Sequence, residues 1–338
     1  MRILFTSHKF HPVIGGIEVN SEILASYFSK NGHEVRLVTQ TTHNKVDLYD
    51  FEVYRKPSIL KLFELYKWAD IVYQNNIELR VLWPNLAFRR PFVVSLHTWL
   101  RNRDGKRRLT DLLKIFILLY AKKVIAVSSA IQKDSFKDSI VIGNPYRDEL
   151  FRKLDFVERK QSIAYLGRFV SDKGVELLIK SYARLGVRGE ALTLIGSGPN
   201  EKMYKQLANE LGVKLNITNS LIGDDLVAEL NKHKILVIPS LWEEPFGNVA
   251  LEGMACGCLI LASDGGGLPD AVGKAGVLFS RGSIEDLTRK LKNLYVESNT
   301  NTELEFNIKR HLENHSQKIV CGKYLDVLVK SLSQHKTT

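Results

Sequence analysis

The feature that most constrains this chain is an alternation that runs its whole length and occurs twice. Short apolar runs, continuous rather than alternating, are separated by stretches of helical periodicity. The first series is "RILFTS" (2–7), an amphipathic segment from about Gly16 to Asn31, "EVRLVTQ" (34–40), "DIVYQNN" (70–76), "FVVSLHT" (92–98), "KVIAVSS" (123–129) and "SIVIGNP" (139–145). The second is "SIAYLGR" (162–168), "ALTLIGSG" (191–198), "KLNITNS" (214–220), "ILVIPS" (235–240), "LILASD" (259–264) and "GVLFS" (276–280). Runs apolar at every position suit strands covered on both faces, and strands spaced by helices pair in parallel. At 338 residues the chain exceeds the ~250–300 at which one core stops growing. The expectation is therefore an α/β protein of two doubly wound domains, residues 1–150 and 151–315, joined through the charged segment Asp148 to Arg159. The tail from about Ser316 to Thr338 reads as a helix that can pack on either half, the first included. Ligands of such folds bind beyond the carboxyl ends of the strands, in a cleft that two facing domains would share, so functional motifs belong just after strands.

Composition enters as a filter. With 44% hydrophobic and 25% charged residues the chain is ordinary for a soluble globular protein. It contains no apolar run of ~18 residues, and Met1 leads straight into a strand pattern, so a cytoplasmic protein is expected. Cys256, Cys258 and Cys321 lack disulfide or metal-ligand spacing and read as small buried residues. The net charge of +11 resides mainly in the first half, where 23 basic residues face 15 acidic ones in 1–150. Arg101, Arg103, Lys106, Arg107, Arg108, Lys114, Lys122 and Lys123 form a cluster there. It lacks aromatic interleaving beyond Trp99 and any nucleic-acid motif, so no nucleic-acid partner is expected. A peripheral contact with an anionic membrane is expected instead, electrostatic in kind, with "IFILLY" (115–120) as a buried core helix and only Arg101 to Arg108 exposed.

Three motifs follow strands as required. Gly15-Gly16 lies where the first loop turns into a helix, a place for backbone N–H groups to approach a phosphate. "LIGSGPN" (194–200) opens like a dinucleotide fingerprint but lacks the third glycine, which argues against NAD or FAD. In "YLGRFVSDKGVELLIKSYARL" (165–185), Arg168 leaves a strand and Lys173 precedes Gly174 and a helix, so a guanidinium fork and an ammonium can reach one diphosphate. In "EEPFGNVALEGMACG" (243–257), Glu244 stands in a turn and Glu252 about one turn inside the helix that begins near Asn248. The N–H groups of Phe246, Gly247, Asn248 and Val249 would then point at an anionic or hydroxyl-rich ligand, aided by the helix dipole.

On these residues the chain resembles the retaining GT-B glycosyltransferases of the family-4 type. The matches are Gly15-Gly16, "GR…KG" at 167–174, the Glu-x7-Glu pair Glu244 and Glu252, "GGLPD" at 266–270 and "VSS" at 127–129. The resemblance implies a fold of two Rossmann-like domains, with acceptor recognition in the first and the nucleotide-sugar donor in the second. It implies that Arg168 and Lys173 clamp the donor diphosphate and that Glu252 bonds the ribose hydroxyls. Glu244 and the Phe246-Gly247-Asn248 backbone would hold the donor sugar, with His97 beside it, and the stretch near Leu221 would contact the base. Asn219 stands where the family has glycine, and "YQNN" (73–76) replaces a histidine-containing strand end, so acceptor recognition does not transfer.

The activity implied is hexosyl transfer with retention from a UDP-sugar, UDP-glucose as first choice, to a glycan or lipid-linked acceptor in polysaccharide or glycolipid synthesis. Cations that stabilise a departing diphosphate do the work of a metal, and no Asp-x-Asp occurs, so neither metal nor cofactor is expected. The alternatives are a nucleotide-sugar epimerase of the same architecture and a non-catalytic nucleotide-sugar or nucleic-acid binder.

Overall fold

The computed structural model describes every residue except 14, 44–45, 103, 160, 188, 297–301 and 337–338. The chain forms two compact units, Met1–Pro145 together with Gln317–Thr338, and Tyr146–Ser316. The first holds β1 (Arg2–Ser7), β2 (Glu34–Thr39), β3 (Glu52–Arg55), β4 (Ile71–Asn75), β5 (Phe92–Leu96), β6 (Lys123–Ala126) and β7 (Ile140–Val141). All pair in parallel, in the order β3-β2-β1-β4-β5-β6-β7. The second unit holds β8 (Gln161–Leu166), β9 (Leu192–Ile195), β10 (Leu215–Thr218), β11 (His233–Ile238), β12 (Leu259–Ser263) and β13 (Val277–Phe279), ordered β10-β9-β8-β11-β12-β13. Each order reverses once, between β1 and β4 and between β8 and β11, and the crevice at such a switch point is where doubly wound sheets take ligands.

Every apolar run named above contains a strand, because helices cover both faces of each sheet. One strand was not expected. β3 has the sequence EVYR, is partly exposed along its length and pairs with β2 alone, so an edge position leaves no continuous apolar run to read. The first core gathers Ile3, Phe5, Phe28, Leu37 and Tyr73, and Val320, Cys321, Tyr324 and Leu328 of the helix Gln317–Lys336 pack into it. The second gathers Ile163, Leu178, Leu194, Tyr204, Val237 and Leu261. The three cysteines are free and buried.

The basic segment departs from expectation in two ways. "IFILLY" is no buried core helix: in the helix Leu109–Leu118 and the turn after it only Leu118 is buried, while Phe116, Leu119 and Tyr120 are exposed. The cluster ahead of it is partly neutralised, since Arg101 Nε lies 2.9 Å and Arg107 Nη2 3.6 Å from Asp134 Oδ1. Arg103 lies outside the described residues. Among the described residues no helix is long and apolar enough to cross a membrane.

Candidate functional site

Two loops of the second unit are laced together beyond the ends of β8 and β11. After β8 the chain passes Gly167 and Arg168, makes a single 3-10 turn, Ser171–Lys173, and enters the helix Val175–Leu185 through Gly174. Gly174 has φ 70°, and a Cβ there would fall 1.9 Å from the Pro239 carbonyl oxygen, so only glycine lets this loop lie against the end of β11. The N–H groups of Leu241 and Trp242 both donate to the Asp172 carbonyl, at 2.9 and 3.0 Å. That contact carries Lys173 onto Glu244: the ammonium donates to Glu244 Oε1, which also accepts from Ser240 Oγ at 2.7 Å. The two charged side chains are only 21% and 16% exposed, a setting in which an ion pair is screened less than on the surface. Arg168 is exposed, and among the described residues no carboxylate pairs with its guanidinium. The glycines of "LIGSG" have a structural reason: a Cβ at Gly196 would fall 2.0 Å from the Gly167 carbonyl oxygen, so the loop after β9 presses on the loop after β8.

Glu244 is fixed from the other side by its own backbone, whose carbonyl accepts from Gly267 N–H at 2.7 Å. The neighbouring Glu243 pairs with Arg281 at 3.1 Å. Gly247, at φ 122°, precedes the helix Asn248–Ala255, which places Asn248 and Val249 in its first turn. First-turn N–H groups have no acceptor within their helix, so this end offers backbone donors beside the Lys173–Glu244 pair. Phe246 offers backbone alone, because its ring is buried, 5.7 Å from the His315 ring. Glu252 is partly buried, and loss of solvation pushes its carboxyl up to about 7 against the lowering charge of Arg147. A carboxyl raised this far can donate as well as accept a hydrogen bond. Leu221 sits half-buried in the stretch before the helix Gly223–Asn231. Asn219 does not take a left-handed backbone; among the described non-glycine residues only Lys56, Asn76 and Arg89 do.

The first unit builds its strand ends differently. His97, after β5, is buried with every polar atom of its ring engaged. Its backbone N–H donates to Asn76 Oδ1 at 2.7 Å, and the ring Nδ1 lies 3.3 Å from Asn20 Nδ2. Nε2 shares a hydrogen bond with Ser95 Oγ at 2.8 Å. Burial pulls the imidazole down to about 3, with a hydrogen bond to the Asn144 side chain acting the other way. Around it Asn20 Nδ2 donates to Asn144 Oδ1 (3.0 Å), Asn75 Nδ2 to Ser21 Oγ (2.6 Å) and Ser21 Oγ to Ser7 Oγ (2.9 Å). Gly15 is extended, at φ −175°, and Gly16 opens the helix Gly16–Lys30, whose first turn carries the buried Glu18. Ser128 of "VSS" caps the helix Ser129–Ser135 by accepting from Ile131 N–H.

Residues 146–311 match the family model described as Glycosyl transferases group 1, and residues 14–138 match Glycosyltransferase Family 4. The chain is a family-4-type GT-B glycosyltransferase. It is 25% identical over 329 residues to an uncharacterized glycosyltransferase of Methanocaldococcus jannaschii, covering 80% of this chain and 83% of that one. The fold is that of sucrose-phosphate synthase from Thermosynechococcus elongatus (TM-score 0.80, 18% identity, 98% of this chain and 99% of that chain). It is also that of Anabaena HepE in complex with UDP (TM-score 0.79, 20% identity, 99% of this chain and 100% of that chain).

In this glycosyltransferase, Lys173, Glu244, Phe246, Gly247, Asn248, Val249 and Glu252 are gathered on the β8 and β11 loops and the helix that follows, with Arg168 at the head of the first loop and Leu221 in the loop after β10. Gly15, Gly16 and His97 belong to the first unit. Sequence reasoning missed the pairing of Lys173 with Glu244 and the neutral network of Asn20, Asn75, Asn76, Ser95 and Asn144. The signal for the network was present in "YQNN": four polar-tipped residues closing an apolar strand.

Proposed function

We propose that this glycosyltransferase moves a hexosyl group, glucose as first choice, from a UDP-sugar to a glycan or lipid-linked acceptor, with retention and without a metal ion. One observation carries the reading: an unpaired Arg168 guanidinium heads the same short loop that delivers Lys173 to Glu244, beside the start of the helix Asn248–Ala255. When the bond from the anomeric carbon to the diphosphate oxygen breaks, its electron pair goes to the diphosphate. Arg168, Lys173 and the first-turn N–H groups stabilise that developing charge, an interaction stronger in the transition state than in the ground state. Glu244, held by Lys173 and Ser240, binds sugar hydroxyls, and Glu252 bonds the ribose. The acceptor oxygen attacks on the face the diphosphate leaves, and the departing phosphate oxygen takes its proton. Metal independence rests on these cations and on a sequence without Asp-x-Asp. That HepE was seen with UDP supports the choice of base.

The test is direct. Calorimetric titration with UDP, GDP and ADP should show UDP tightest, and a UDP-sugar turned over in excess EDTA should give a product whose anomeric configuration, read by NMR, equals that of the donor. Tighter GDP binding, an inverted product, or activity restored only by Mg²⁺ or Mn²⁺ would each overturn the matching part.

A further inference from the structure

The helix Leu109–Leu118 turns its apolar stripe outward. Leu109, Leu112, Leu113 and Phe116, with Tyr120 in the turn beyond, recur at helical spacing on one side, and all five are exposed, Leu109 by 86% and Phe116 by 53%. A stripe of this kind ordinarily faces a core. Here it borders an apolar groove of about 840 Å³ whose other wall carries Leu82, Trp83 and Leu86, the last 84% exposed. Contiguous apolar surface of this extent marks a surface that something covers. The groove's rim is cationic: Arg89, Arg90 and Lys122 line it, and Lys106 and Arg108 stand exposed just before the helix. Among the described residues no carboxylate pairs with Arg89, Lys106 or Lys122; Asp104 accepts from Lys106 N–H at 3.1 Å, Asp111 from Arg108 N–H at 3.0 Å, and Asp134 is engaged with Arg101 and Arg107.

We infer that this face of the first unit seats in one leaflet of an anionic bilayer, the stripe of Leu109, Leu112, Leu113, Phe116 and Tyr120 entering the acyl boundary while Arg89, Lys106, Arg108 and Lys122 meet lipid phosphates. Charge complementarity selects the occupant. A second copy would set the same cations against each other, whereas an anionic leaflet offers an apolar layer beneath a negative surface, the order in which these side chains are arranged. The attachment lies on the membrane, consistent with the absence of a spanning helix among the described residues. It differs from a purely electrostatic contact through Arg101 to Arg108, since Arg101 and Arg107 are engaged with Asp134 and the greater part of the face is apolar.

The experiment is flotation of the full chain with vesicles of phosphatidylcholine, with and without phosphatidylglycerol, at about 0.15 and about 0.5 M salt. Two variants accompany it, Leu112→Ser/Phe116→Ser and Arg89→Gln/Lys106→Gln/Arg108→Gln, each checked for an unchanged melting temperature. Wild type should float with anionic vesicles at least about tenfold more tightly than with neutral ones, and each variant should lose about tenfold or more. Part of the wild-type binding should survive the higher salt, and Trp83 fluorescence should be quenched by acyl-brominated lipid and not in Trp83→Phe. Equal binding by wild type and Leu112→Ser/Phe116→Ser, or no binding at all, overturns the inference. So does a concentration-dependent dimer in sedimentation velocity that the apolar variant disperses, for then a second copy covers the face. Flotation needs no turnover, so a wrong donor assignment leaves its outcome intact.

Discussion

The two units end their parallel sheets in opposite chemical styles. Beyond β8 and β11 the second unit places charge: Lys173 on Glu244, Arg168 unpaired, Glu243 on Arg281, with helix N–H groups beside them. Beyond β1, β4 and β5 the first gathers amides, hydroxyls and an imidazole held neutral around His97, and its carboxylates are the buried Glu18 and the histidine-paired Glu22 and Glu78. One topology thus presents two dielectric problems. A departing diphosphate needs cations fixed before the reaction, because reorienting them during bond cleavage would consume much of their benefit. A buried neutral network instead needs each donor and acceptor satisfied within the fold, and these amides and hydroxyls largely satisfy one another.

The contrast can be broken at three depths. The largest effect is expected for Arg168→Ala, which should lower turnover by about 10²–10³-fold while leaving the melting temperature near wild type, since the side chain is exposed and unpaired. Near-wild-type rates would mean that the charged half does not act through charge. Next comes the ion pair. Lys173→Met leaves Glu244 partly buried without its cation and should cost about 1–3 kcal/mol in urea unfolding, most of it recovered in Lys173→Met/Glu244→Gln. Additive losses in that cycle would show that the two groups do not stabilise each other.

The smallest and sharpest test uses pH, because the two units should respond in opposite directions. Glu252 is raised from 4.5 to about 7 in the folded chain, so between those values the native state holds a proton the unfolded state has lost. Its contribution therefore falls as pH rises through that window, by at most roughly 3–4 kcal/mol. His97 is lowered from 6.5 to about 3, so the unfolded state binds the extra proton and stability falls as pH drops below 6.5. Glu252→Gln should make stability climb more steeply from pH 5 to 7, and His97→Gln should make it climb less. Parallel slopes for both variants would remove the distinction between the units.

Much of the fold was legible because strands covered on both faces must be apolar at each position. β3 escaped since an edge strand need not be. The stretch "IFILLY" misled for a related reason: a pattern of apolar residues states that a face avoids water and is silent about what covers it. In the candidate site, "GR…KG" could be read because glycines mark where backbones crowd, as the Gly174 contact with Pro239 illustrates. The bond from Lys173 to Glu244 spans 71 positions and depends on how two loops meet, which no local pattern encodes. The neutral network left only the polar end of "YQNN" as its signal, because Asn and Ser carry no period or spacing that separates a buried donor from a solvated turn.

The helix Gln317–Lys336, 20 residues at the end of the chain, belongs to the core that the first strands begin. During synthesis at ~5–20 residues per second, the second unit, contiguous from Tyr146 to Ser316, is available in full before the first, which lacks Val320, Tyr324 and Leu328 until the residues after Ser316 have followed. The unit made first is thus completed last. For that interval the emerging chain carries an open apolar seam along its oldest part, and a ribosome stalled between Ser316 and Val320 would hold a chain with a finished second unit and an unsealed first one.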